Sequence, residues 1–86
     1  MAKDSRYKII KPMFSDGEIK SFAQIFEYIP KTVVANDLGL NVNRFSQSIK
    51  NVENLRIRDI LQLADLLNLK PMEIFGLIDK QLGATP

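Results

Sequence analysis

Apolar residues recur every three or four positions through most of this chain, which is the spacing that places them on one face of a helix. The pattern predicts five helices joined by short connections, as compact helical domains have. The predicted helices cover residues 22–29, 33–38, 42–50, 57–67 and 71–82. The spacing therefore predicts an all-α domain over residues 15–83, followed by a tail of residues 84–86.

Residues that favour helix ends stand at the boundaries of these segments. Ser21 and Gln24 have the spacing of a capping box, and Pro30 ends the first helix. Gly39 can adopt the left-handed conformation that closes the second helix, and Pro71 suits the first position of the fifth. The polar residues predicted to cap the second and third helices are Thr32 and Asn41.

The first 14 residues lack the helical spacing of the rest of the chain. The run from Tyr7 to Lys11 is rich in residues that favour strands, and Pro12 biases the residue before it toward an extended backbone. We therefore expect residues 1–14 to form a basic N-terminal arm, either extended or paired as a short strand.

The apolar residues of the last two helices define the faces that we expect to be buried. In the fourth helix they are Ile57, Ile60, Leu61, Ala64 and Leu67, with Leu63 beside them. In the fifth helix they are Ile74, Phe75, Ile78 and Leu82. Three further apolar residues lie off these faces, and we expect them to form an exposed dimerisation patch: Leu66, Met72 and Leu77. The N-terminal arm is a rival dimer interface.

Composition narrows the possible functions. The chain has 86 residues, 45% of them hydrophobic and 26% charged, which is typical of one small globular domain. It has no Cys and no His, so disulfides, thiolate nucleophiles, histidine bases and the commonest zinc ligands are excluded. We therefore expect no enzyme activity, no metal and no cofactor. Neither a signal peptide nor a membrane span is evident, so we expect a cytoplasmic location.

Charge is distributed unevenly, although the net charge is only +2. Residues 1–11 contain four cations and one anion, and residues 41–58 contain the same balance. The rest of the chain is acidic as a consequence. Two basic patches on an acidic body attract a polyanion to particular faces of a domain.

The segment from Thr32 to Phe45 has the organisation of a helix-turn-helix, two short helices joined by a turn that contains glycine. The chain resembles the lambda-repressor-like (XRE/Cro-type) helix-turn-helix domains between Thr32 and Phe75. The resemblance is carried by Ala35, Leu38-Gly39, Phe45, Ile60-Leu61, Leu63-Ala64, Leu67, Leu69 and Ile74-Phe75. It implies a five-helix domain that binds duplex DNA, usually as a dimer, with the third helix in the major groove.

The third helix carries the side chains that such a function needs. If its apolar residues face inward, the opposite face presents Asn43, Gln47 and Asn51, flanked by Arg44 and Lys50. Amide side chains can bond to adenine and arginine to guanine or phosphate, so this face is suited to reading base edges. We expect base readout from Asn43, Arg44 and Gln47, which lie in the first two turns.

Other residues are suited to holding phosphates beside the groove. Lys31 and Thr32 begin the second helix, and Arg56 and Arg58 begin the fourth. The complete set of predicted DNA-binding residues is Lys31, Thr32, Asn41, Asn43, Arg44, Gln47, Lys50, Asn51, Arg56 and Arg58.

Two functions therefore remain open for the sequence. The first is a sequence-specific DNA-binding transcriptional regulator that acts as a homodimer. The second is a protein-interaction module of the same fold, an adaptor or antitoxin-like partner without specific DNA binding. The apolar Val33 near the start of the second helix and the modest net charge favour the second, whereas the polar and basic face of the third helix favours the first. We predict the DNA-binding regulator, with the interaction module as the alternative.

Overall fold

A computed structural model describes residues 4–83 of the chain. Its five α-helices are α1 (Tyr7–Ser15), α2 (Lys31–Leu38), α3 (Val42–Lys50), α4 (Ile57–Leu67) and α5 (Pro71–Gly83). Two short 3₁₀-helices cover Ala23–Glu27 and Val52–Asn54. Residues 4–83 contain no strand, so the prediction of an all-α fold is confirmed. The predicted tail of residues 84–86 lies outside the described residues, as does Lys3 of the predicted basic arm.

The prediction of an extended arm or strand before residue 15 is wrong, because α1 occupies that region. Tyr7 and Ile10 lie three residues apart and are both buried in the core, and Phe14 packs against it one turn further on. Pro12 lies inside α1 and lacks the N–H that would bond to the preceding turn, which costs about 3 kcal/mol. Burial of large apolar side chains stabilises by about 1.5–3 kcal/mol each, so Tyr7 and Ile10 together offset the cost of the proline. The N-terminal segment is therefore part of the packed domain.

Residues 22–29 form less helix than their apolar spacing predicts. The segment contains only the 3₁₀-helix Ala23–Glu27, whose three residues per turn place Phe22 and Ile25 on the same buried side. The side-chain oxygen of Gln24 accepts a hydrogen bond from the N–H of Lys20 at 2.7 Å. The N–H that Gln24 binds is therefore that of Lys20, the residue before Ser21, and not the N–H of Ser21 as the predicted capping box requires.

The turn between α2 and α3 forms as the sequence predicts. Gly39 has a φ of 72°, in the left-handed region, and ends α2. The N–H of Leu40 bonds to the carbonyl of Ala35 at 2.9 Å, which satisfies a carbonyl of the last turn. Asn41 caps α3, since its side-chain oxygen accepts from the N–H of Arg44 at 3.1 Å. The prediction of Thr32 as a cap is wrong, because α2 begins at Lys31, two residues earlier than predicted, and Pro30 occupies the cap position.

The buried face of α4 is rotated from the predicted one. The residues of α4 that enter the core are Ile60, Leu63, Ala64 and Leu67. Ile57 and Leu61 are instead 66% and 51% exposed. A helix with apolar residues around most of its circumference can bury either of two faces, and in α4 the face centred on Leu63 packs against α1 and α5.

The predicted dimerisation patch is also wrong, because Leu77 is completely buried in the core beside Ile74 and Ile78. Burial of Leu77 turns Phe75 and Leu82 outward, so the predicted buried face of α5 is only half correct. Leu66 is half-buried against the core, and Met72 is exposed as expected. The three residues therefore do not form one surface.

Candidate nucleic-acid interface

The outward face of α3 is a continuous polar surface. Phe45 and Ile49 are buried, and each residue of a helix is rotated by about 100° from the one before. The side chains opposite those two residues are exposed: Asn43, Arg44, Gln47 and Lys50. None of residues 40–52 is acidic, so α3 itself contributes no carboxylate to this face. The structure thus brings together the four α3 residues that the sequence places on one face.

These four side chains make no hydrogen bond or ion pair with other side chains or with the backbone in the described part of the chain. The hydrogen bonds that involve Arg44 and Gln47 use only their backbone atoms. Their amide and guanidinium groups are therefore available for an external partner, and reorganising them costs no internal bond.

Asn41 and Asn51, also predicted to bind DNA, lie at the two ends of α3. The side-chain oxygen of Asn41 is occupied by the cap of the helix. The amide nitrogen of Asn51 donates to the carbonyl of Gln47 at 3.3 Å. Both side chains stabilise the helix that presents the polar face, and this is the role that the structure shows for each.

Lys31 is brought directly against α3. Its Nζ donates a hydrogen bond to Oγ of Ser46 at 2.8 Å, which places the start of α2 beside the middle of α3. Thr32 is exposed in the first turn of α2. A cation and a helix start thus flank the polar face on one side.

On another side, Arg44 of α3 and Arg56 before α4 line a small depression of about 50 Å³ together with Ser48 and Asp59. The N–H of Arg56 bonds to Oδ2 of Asp59 at 3.3 Å, which fixes the backbone at this position. Arg58 does not line this depression. The structure therefore places Arg56, but not Arg58, beside Arg44.

Two aromatic contacts hold α3 in place. Phe45 meets Phe26 edge to face, with ring centroids 5.5 Å apart, and Phe26 meets Phe22 in the same way. The inner side of α3 is thus anchored on the segment that contains the first 3₁₀-helix.

Gln81 of α5, which no sequence pattern indicated, supports the end of α3. Its side-chain nitrogen donates to the carbonyl of Ile49 at 3.1 Å, and its side-chain oxygen accepts from the N–H of Ala23 at 2.8 Å. One amide therefore joins the end of α3 to the first 3₁₀-helix. The contacts span 32 and 58 positions in the chain, so no local pattern could have indicated them.

A second contact between residues far apart in the chain involves α1, the helix that forms where an N-terminal arm was predicted. The hydroxyl of Tyr7 in α1 donates to Oδ2 of Asp37 in α2 at 2.6 Å. Burial, assisted by the neighbouring Asp37 carboxylate, raises the pKa of Tyr7 far above its ordinary value. The Tyr7 hydroxyl therefore joins α1 to α2.

The predicted basic patch of residues 1–11 is partly neutralised. Arg6 forms an ion pair with Asp4 at 2.6 Å, and this hydrogen-bonded guanidinium lowers the pKa of Asp4 to about 2. Lys8 and Lys11 remain exposed on α1. Lys8 and Lys11 are therefore the cations of α1 that form no ion pair among residues 4–83.

Within residues 4–83, no three His, Cys, Asp or Glu side chains are grouped so that they could hold a metal ion. No helix in the same range has the length and apolar character needed to cross a membrane. Comparisons of the chain with protein-family models, curated proteins and solved structures give no match.

Proposed function

We propose that this protein is a sequence-specific regulator of transcription that binds duplex DNA through α3, with the arrangement of a lambda-repressor-like helix-turn-helix domain. The observation that carries the proposal is the exposed face of α3, whose amide and cationic groups have no partner in the described chain. A solvated helix face more often pairs acidic and basic side chains one turn apart, and α3 has no acidic residue.

The nine residues of α3 extend over about 13 Å, and a single helix fits into the major groove of B-DNA. Asn43 and Gln47, one turn apart, are assigned to adenine edges, where an amide can both donate and accept. Arg44 between them is assigned to a guanine edge. Because a single α3 reads only a few base pairs, two copies on a pseudo-palindromic site complete the proposed recognition unit.

Contacts to the phosphates hold the helix in the groove. Lys50 at the end of α3, Arg56 before α4 and Lys31 at the start of α2 surround the polar face. Each of these cations is assigned to a phosphate of the DNA backbone. The first turn of α2, which includes Thr32, is assigned to the same backbone. Such contacts position the protein on any sequence, so they add affinity without specificity.

The test begins with selection of preferred sites from a random duplex library, followed by fluorescence polarisation on a selected duplex and a scrambled one. Gln47→Ala should weaken binding to the selected duplex by about 1–3 kcal/mol and leave binding to the scrambled duplex nearly unchanged. Met72→Ala is the control, because Met72 is an exposed side chain of α5 that is assigned neither to DNA nor to a second copy. Equal losses on both duplexes would remove Gln47 from base readout.

Salt dependence tests the backbone contacts separately. Lys50→Ala should weaken binding to both duplexes and reduce the slope of log K against log salt by about one. Lys80→Ala, an exposed cation on α5, is the control and should change neither. If no duplex binds even at low salt, the proposal fails, and the protein-interaction module becomes the better description.

A further inference from the structure

The surface of α4 carries an apolar strip that the domain itself does not cover. Ile57 and Leu61 are one turn apart, so they are neighbours on the helix surface, and each exposes half or more of its side chain. Leu61 also lines a groove of about 430 Å³ beside the end of α2, together with Leu38, Asp37 and Asp65. The strip is therefore continuous with a groove that two carboxylates also line.

Two opposite charges border this strip. Arg58 and Asp65 are both exposed, and their seven-residue separation returns them to the same side of α4 after two turns. They are about 10 Å apart along the helix axis, and neither forms an ion pair in the described part of the chain. The residues of α4 one turn from Arg58 and from Asp65 are uncharged, so α4 offers them no partner of its own.

The positions of these residues are self-complementary under a two-fold rotation. With the axis at the midpoint between residues 61 and 62, an antiparallel second α4 places Leu61 against its symmetry mate. The same rotation places Arg58 opposite Asp65 of the second copy, and Asp65 opposite Arg58 of that copy, on the same side of the strip. A two-fold interface requires this reciprocity of contacts.

We propose that α4 is a homodimerisation surface, on which a second copy of this chain docks in antiparallel orientation through Leu61, Ile57 and the reciprocal Arg58–Asp65 ion pairs. The proposal assigns Arg58 to the dimer rather than to a DNA phosphate. It does not depend on DNA binding. The short strip makes an interface at the low end of the size range, so the dimer is weak and depends on protein concentration.

Sedimentation equilibrium of the full chain tests the surface with charge reversals. Arg58→Glu and Asp65→Arg should each weaken self-association about tenfold or more, because each places like charges opposite one another twice. An equimolar mixture of the two variants should associate about as strongly as the wild type, because both cross-pairs are again attractive. The control is Asp79→Arg on the exposed side of α5, which should not change association.

Loss of association in these variants cannot be attributed to unfolding. Glutamate near the start of α4 and arginine near its end both favour the helix macrodipole, so each substitution supports the fold of α4. Recovery in the mixture also requires two folded variants. The proposal is overturned if the wild type remains monomeric at millimolar concentration, if the single variants associate like the wild type, or if the mixture associates no better than either variant. None of these outcomes bears on whether α3 binds a duplex, which the polarisation titration measures.

Discussion

Replacement of Gln81 tests whether one amide of α5 fixes the end of α3. Its side chain is half-buried and makes two hydrogen bonds, to the carbonyl of Ile49 and from the N–H of Ala23. Gln81→Met keeps the length of the side chain and removes both bonds. Gln81→Glu keeps the acceptor for Ala23 but replaces the donor to Ile49 with a carboxylate oxygen.

The magnitude follows from the exposure of the two bonds. A net hydrogen bond contributes about 0.5–1.5 kcal/mol, and the Ala23 bond is exposed, so water partly replaces it. Gln81→Met should therefore lower the free energy of unfolding by about 1–2 kcal/mol. In a domain of this size each kcal/mol lowers Tm by about 4–8 °C.

Gln81→Glu should make the loss depend on pH. The introduced carboxylate faces the Ile49 carbonyl at the negative end of α3, which raises the pKa of that carboxyl in the folded state above its unfolded value of about 4.3. The protonated carboxyl can still donate to Ile49. Stability should therefore approach that of the wild type below about pH 4 and fall as the pH rises through the folded-state pKa.

Urea denaturation of the wild type and both variants between pH 4 and pH 8 measures these effects. Glu53→Gln is the control, because Glu53 is exposed and its side chain forms no hydrogen bond or ion pair among residues 4–83, so its effect on stability should hardly change with pH. A loss for Gln81→Glu of equal size at pH 4 and pH 7 would refute the reasoning. The reasoning would also be refuted if Gln81→Met were as stable as the wild type.

Two further substitutions, each with its own control, test a hydrogen bond and a turn. Tyr7→Phe removes the donor to Asp37 and should cost about 1.5–3 kcal/mol in urea denaturation, since the bond is to a charged group. Tyr28→Phe should cost little, because the Tyr28 hydroxyl has no hydrogen bond in the described chain, and equal losses would contradict the assignment. Gly39→Ala should cost about 1–2 kcal/mol from its positive φ alone, because an added Cβ has open space. Gly76→Ala, inside α5, should instead raise Tm through better helix propensity, and a gain at Gly39 would show that the turn is not left-handed.

The parts of the fold that local chemistry determines could be predicted from the sequence. Gly39 and Asn41 define the ends of α2 and α3 through their own backbone and side-chain preferences, and both act as expected. The outward face of α3 follows from the burial of Phe45 and Ile49. These features require no knowledge of distant residues.

The features that could not be predicted depend on tertiary packing. Residues Tyr7 to Pro12 have weak helical propensity, and they form a helix because Tyr7 and Ile10 enter a core made by other elements. In α4, Leu61 and Leu63 are equally apolar, and only the positions of α1 and α5 decide that Leu63 is buried. The hydrogen bond from Gln81 to Ile49 joins residues that are 32 positions apart, so no local sequence pattern indicates it.

The freedom of the four exposed α3 side chains has a consequence for how this domain can change over evolutionary time. Asn43, Arg44, Gln47 and Lys50 take no part in the core or in any side-chain bond of the described residues. Substitutions at such positions usually change stability by less than about 0.5 kcal/mol. Selection can therefore change the side chains that α3 presents while the packed domain stays intact. Under the proposed function, one scaffold then has access to many recognition specificities without compensating mutations elsewhere.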